Sequence, residues 1–585
     1  MQLLLGILTA LAVMYLPKDK LEQPLLFGSR ILEVNQSYGK VYAPGQRNPY
    51  PHLMHFETQE DGEYLLLRPH RPQKNEPYVK KQKQNIHPLS FRILEETDST
   101  YCLELLPALS SYPKIISVIP AKMLPGHATQ YEILDTRQTD RYIQVNAHYR
   151  YEDGLDVTAA CYFLWLNNPP MQPRMVKNSL VGYNTVYVRG SRDNKLGRSQ
   201  RWNLTPGRVL DFYVDKAFPE EWYPYIKEGI EDWNKAFRAI GLGDVLAVHP
   251  QPDNLDTTGP LVNMVRYMDV EESNAKGDVL VDPRSGEILQ GDILWWKNVV
   301  DLIKGWRYLQ TGAADPAARQ LDYPIEILGP MIRYAICHEM GHVLGLSHNM
   351  GASWAYPSDS LRSPHFTRFF GTSASVMDYA RYNHLATAAD VEAGVNLLPP
   401  RIGPYDYYAI ACGYAAKIPK PRKYCYYVPP ISAAISPDPS SQSETLGNDL
   451  IRSSRDGLNN CRALLSLDGL TDERLQLLRK QYYRYIQLAL SNIGGAVKGK
   501  AVSRTLRRRT LAFVLNALAT VPEPLANPSQ EQSILDELTG NFLPLRLSQT
   551  AGKRELDDYY KHLNTLRAQY PGLSLKDPSE WPIIH

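Results

Sequence analysis

The sequence predicts an α+β protein built from several folded regions, and three observations carry that expectation. The first third alternates short apolar runs with Gly, Pro, Asn and Asp, which is how antiparallel strands and their turns read. The middle mixes strand-like runs with helical patterns. The last quarter repeats apolar residues at helical spacing. A chain of 585 residues has room for roughly two to four domains. Hydrophobic residues at 43% and charged residues at 22% are ordinary for a globular protein, and a net charge of +2 gives no reason to expect a nucleic-acid partner.

Residues 1–205 form the β-rich region, with strands expected over 25–31, 63–68, 142–151 and 159–166. The lysine-rich stretch 71–87 reads as an exposed loop. The first sixteen residues hold an apolar run with Ala10 and Ala12 at the spacing of a signal-peptide cleavage site. Yet no basic residue precedes them, so a buried first strand is the other reading. No stretch reaches the roughly 20 apolar residues of a membrane helix. Residues 169–183 read as an extended connector.

Residues 206–428 form the mixed region. A strand is expected over 209–214 and then a helix opening at Pro219, with Glu220 and Glu221 at its positive end. Trp222, Ile226, Ile230, Trp233 and Phe237 recur at helical spacing, as core residues do. Strands follow over 245–249, 261–270, 278–281 and 287–296, then helices over 299–310 and from about 325. An aromatic stretch over 349–372 could wall a cleft or pack inward. A last helix is expected over 406–412. Residues 429–443, rich in Pro and Ser, read as a linker, and 444–585 as a helical region with helices over 444–465, 471–492 and 510–519.

The chemistry concentrates in 336–350, I-C-H-E-M-G-H-V-L-G-L-S-H-N-M. His338 and His342, four apart on a helix, share one face and can present two imidazole nitrogens to one ion. Glu339, one step round, can reach a water on that ion. Gly345 can end the helix at positive φ, and His348 then returns as a third ligand. Three histidines and an open position are the pattern of a catalytic zinc, one per chain, because a structural site would be closed by four protein ligands. Cys337 points away from the ligand face and reads as core. The six cysteines contain no C-x-x-C pair, so a cysteine zinc ribbon is not expected.

Downstream, Ser375-Val-Met377-Asp-Tyr379 resembles the Met-turn of the metzincins. Several further segments resemble one bacterial family, the "Met-zincin" metalloproteases with an uncharacterised N-terminal domain. They are 282–289 (D-P-R-S-G-E-I-L), 291–296 (G-D-I-L-W-W), the Pro219 helix with Trp222 and Trp233, and 348–352 (H-N-M-G-A). The similarity runs from about residue 15 to beyond 495. It implies a metzincin-like catalytic domain with a mixed twisted sheet, a backing helix and an active-site helix. It also implies a zinc endopeptidase acting on protein or peptide, with Glu339 as general base, Met377 beneath the metal and Tyr379 facing it. Export from a bacterial cell goes with the family. At Lys177 and Asn178 the chain departs from it, since an aspartate usually follows the proline–arginine there, and its absence weakens latency by a propeptide aspartate. Two alternatives stay open on the residues: a degenerate peptidase kept as a binding module, and a glycan- or mucin-directed surface protein with a secondary peptidase domain.

Overall fold

The structure, a computed structural model, describes residues 12–35, 43–47, 51–70, 88–110, 128–152, 154–177, 181–187, 196–271, 273–320, 322–420, 426–428, 436–467, 470–497, 500–539 and a few between 557 and 568. The expected loop 71–87 and the first eleven residues lie outside these. Among the described residues no helix is long and apolar enough to cross a membrane.

The β-rich region is one nine-stranded antiparallel sheet. Its spatial order is Val13–Pro17, Thr100–Glu104, Leu89–Glu96, Tyr64–Pro69, His52–Thr58, Leu25–Val34, Asp156–Trp165, Tyr142–Tyr151 and Ala128–Gln138. Residues 13–17 are therefore a strand, paired with Thr100–Glu104. Period-two alternation divides the side chains between two cores. Leu25 and Phe27 join Phe56, Phe91 and Phe163 in a core that residues from both ends of the sheet share. Leu26, between them, faces the other way with Leu53, Leu164 and Leu166 and meets Leu280 of the next sheet. The connector supplies Met175–Lys177 to a small sheet with Thr185–Tyr187 and Leu196–Ser199.

The second sheet runs Arg201–Trp202, Glu287–Trp296, Asn263–Met268, Leu210–Val214 and Leu246–Pro250, all parallel, and Ala275–Asp282 adds antiparallel to Glu287–Trp296. Parallel strands are covered on both faces, and Glu287–Trp296 is buried along nearly its whole length. One face packs on the helix Ile325–Val343 through Ile293, Trp295, Ile336 and Val343. The other meets the nine-stranded sheet. The helix expected from Pro219 to Phe237 is not continuous. A 3-10 turn leads into Tyr223–Glu231, and after a break Asn234–Arg238 follows. Trp233 sits at that break, fully buried, with its indole N–H donating to the Cys337 carbonyl at 2.9 Å. Anchoring that indole fixes where the chain turns, which helical spacing alone does not reveal.

The helices Leu450–Leu465, Asp472–Gly494 and Arg504–Ala519 are each opened by a side-chain cap, from Asp449, Thr471 and Ser503. They share a core with Tyr308 and Leu309 of the helix Val299–Thr311. The first starts six residues later than its periodicity suggests, since Glu444 sits at φ 65° and pairs with Arg381 at 3.3 Å. In the Pro/Ser-rich stretch, Ser436, Ser440 and Gln442 are buried, and the Gln442 amide donates to the carbonyls of Ser436 and Asp438, 2.8 Å each. The aromatic stretch also packs inward: Tyr356, with Phe366 and Phe370 against it, shares a core with Leu385 and Leu446.

Candidate metal centre

The helix Ile325–Val343 carries His338, Glu339 and His342 in its last turns. It ends where Gly345 turns at φ 92°, and a Cβ there would lie 2.1 Å from the Gln200 carbonyl oxygen. No other residue fits, so the glycine sets the path by which His348 comes back. The connector braces that path: Asn184 N–H donates to the Gly345 carbonyl at 2.8 Å, and Ser347 N–H to Gly182 at 3.1 Å.

The ligand atoms of His338, His342 and His348 all lie within 4.8 Å of one another. Their orientation follows from their other nitrogens. His338 Nδ1 bonds the Val376 carbonyl at 2.7 Å, and His342 Nδ1 the Leu346 carbonyl at 2.8 Å. A carbonyl only accepts, so each Nδ1 carries the proton and each Nε2 offers its lone pair inward. His342 Nε2 and His348 Nε2 stand 3.1 Å apart. Two nitrogens bound tetrahedrally at zinc distances would lie about 3.3–3.4 Å apart. His338 Nε2 is buried with no partner within the protein. Burial and its two neighbours push His338 well below its ordinary pKa, and burial with His342 pushes His348 down to about 3. Converging imidazoles, one with an orphaned lone pair, fit a zinc ion.

Glu339 accepts the Gly277 N–H of the edge strand Ala275–Asp282 on Oε2, at 2.8 Å. Burial raises its pKa, partly offset by His342 and by that N–H. A carboxylate held there can take up a proton and release it again. The Tyr379 ring lies 4.6 Å from that of His348 and 5.3 Å from that of His338. Burial and Glu339 push its phenol up to about 12, so it stays a donor. Met377 packs on the helix between the two histidine turns, where a Cβ on Gly341 would meet its sulfur at 2.2 Å.

Two buried carboxylates that sequence reasoning missed hold this turn. Asp406 accepts Ser375 Oγ–H at 2.6 Å, Val376 N–H at 2.9 Å and Gly403 N–H at 2.8 Å. Asp378 accepts Ser353 N–H at 2.6 Å and Ser373 Oγ–H at 3.0 Å. Gly277 and Gly341 were missed as well. Gly341, inside H-E-M-G-H, had a signal, because glycine in mid-helix is costly unless something approaches closely. Cys337 is buried in the core, away from the ligands.

The family model described as Met-zincin matches residues 320–550, which include the three histidines and the methionine turn. The match supports a metzincin-like family, and with it metallopeptidase activity and a protein or peptide substrate. No curated protein and no solved structure matches the chain.

Proposed function

We propose that this chain is a zinc-dependent endopeptidase, with His338, His342 and His348 as the metal ligands and Glu339 as the general base. The observation that carries the reading is the convergence of three imidazoles, two of them turned inward by carbonyl bonds on Nδ1, beside a buried carboxylate. Zinc bound there would polarise the scissile carbonyl and lower the pKa of a water. Glu339 takes the proton of the attacking water and passes it to the leaving nitrogen. The Gly277 N–H holds the carboxylate in place meanwhile. Tyr379 donates to the oxyanion, and Met377 gives the ligands an apolar floor. Substrate backbone adds to the edge of Ala275–Asp282, which pairs only with Glu287–Trp296 among the described strands. Such pairing reads little sequence and suits an endopeptidase.

The test is cleavage of a peptide library by the purified chain, with and without a chelator. Internal cleavage that stops on chelation and returns with zinc is expected. Zinc-loaded protein that leaves every peptide intact would instead support a binding module descended from a peptidase.

A further inference from the structure

Asp278 and Asp292 stand directly opposite each other in the antiparallel pair of Ala275–Asp282 with Glu287–Trp296. Their side chains are 14% and 0% exposed. Like charges so placed repel, and a buried charge needs a partner. Their own sheet supplies Arg266, whose Nε lies 3.1 Å from Asp292, and the exposed Lys276, 3.1 Å from Asp278. The other two cations come from the nine-stranded sheet and the segment beside it. Arg30 Nη2 lies 3.0 Å from Asp292. Arg47, 2% exposed, sets Nε at 3.0 Å and Nη2 at 2.9 Å from Asp278 Oδ2, and its Nη1 donates to Gln290 Oε1. Arg30 and Arg47 are bridged through their backbones, so they arrive as one unit. The residue next to Asp278 is Gly277, whose N–H holds Glu339.

We propose that the nine-stranded region is a working part of the peptidase, and that Arg47, through Asp278, is a positioning residue for Glu339. The inference rests on the endopeptidase reading. A two-point grip on one oxygen, braced by Gln290, fixes the edge strand along its length and across the sheet. The Gly277 N–H is thereby kept on the carboxylate that moves the proton. Arg47 belongs to the N-terminal region, so the grip is lost if that region separates.

The experiment uses the full chain and the double variant Arg47→Leu/Asp278→Asn, which removes one cation and one anion together and leaves only the exposed Lys276 without its partner. Three quantities are read: thermal midpoint, amide exchange of Gly277, and kcat with KM on one peptide. We expect a midpoint within a few degrees of the parent and Gly277 exchange at least about tenfold faster. We expect kcat to fall about 10–100-fold with KM changed less than about threefold. Parental exchange and parental kcat in the folded double variant would overturn the proposal. If the double variant does not fold, Arg47→Lys takes its place, since it keeps the charge but not the fork. Faster Gly277 exchange with lower kcat at constant KM supports the grip, and no change overturns it. A parent chain that cleaves nothing refutes the peptidase reading, and the exchange measurement then decides the grip by itself.

Discussion

Two buried polar clusters flank the edge strand, and they are built in opposite ways. The three histidines come from one short stretch of chain, and their ligand nitrogens converge while the buried His338 Nε2 is left without a partner within the protein. The cluster of Arg30, Arg47, Arg266, Asp278 and Asp292 is gathered from residues up to 262 apart, and its charges answer each other within the protein. The first cluster calls for a cation from outside. The second closes only when two regions of the chain meet. What is absent from a cluster marks it as a site for chemistry, and what is complete in it marks it as architecture.

The comparison is broken most sharply at Glu339, the group through which the two clusters communicate. Glu339→Ala should keep the metal and the fold and lower kcat by about 10²–10⁴. Turnover near the parental value, measured on one peptide, would remove Glu339 from the chemistry. Tyr379→Phe deletes only a hydroxyl. If the phenol donates to the oxyanion, kcat should fall by about 10²–10³ with KM little changed and the thermal midpoint intact. A variant that loses stability but keeps kcat would place Tyr379 with the architecture.

A smaller effect is expected at Asp406, which belongs to the architecture although it touches the methionine turn. Burial pushes its carboxyl from 3.8 up to about 7, against the pull of Ser375, Gly403 and Val376. A group whose folded pKa is raised contributes stability fully below its unfolded pKa and loses it as pH rises through the folded value. Asp406→Asn does not titrate. The melting temperature of the parent relative to this variant should therefore fall between about pH 4 and pH 7. A difference that stays flat with pH would mean that the three donors keep Asp406 ionised throughout.

The same contrast explains what could be read from the sequence. The helix Ile325–Val343, its histidines and the strand Glu287–Trp296 follow from spacing within a few turns or a few pleats, and their limits were close to those observed. The strands His52–Thr58, Leu89–Glu96, Thr100–Glu104 and Ala128–Gln138 were not legible. Leu89–Glu96 buries Leu89 and Phe91 and then runs out in exposed residues, so its apolar pattern is too short to announce a strand. The break at Trp233 depends on a carbonyl at Cys337, far along the chain. Asp378, Asp406, Arg30 and Arg47 look in the sequence like any charged residue. Only the fold shows that they are buried and what they hold.

The central claim, that the histidine cluster is completed by one ion, is tested most directly by metal analysis of the full chain purified without added metal. One zinc per chain is expected, retained in Glu339→Ala and lost in His348→Ala. A parent chain that holds no zinc, or two zinc ions, would contradict the account.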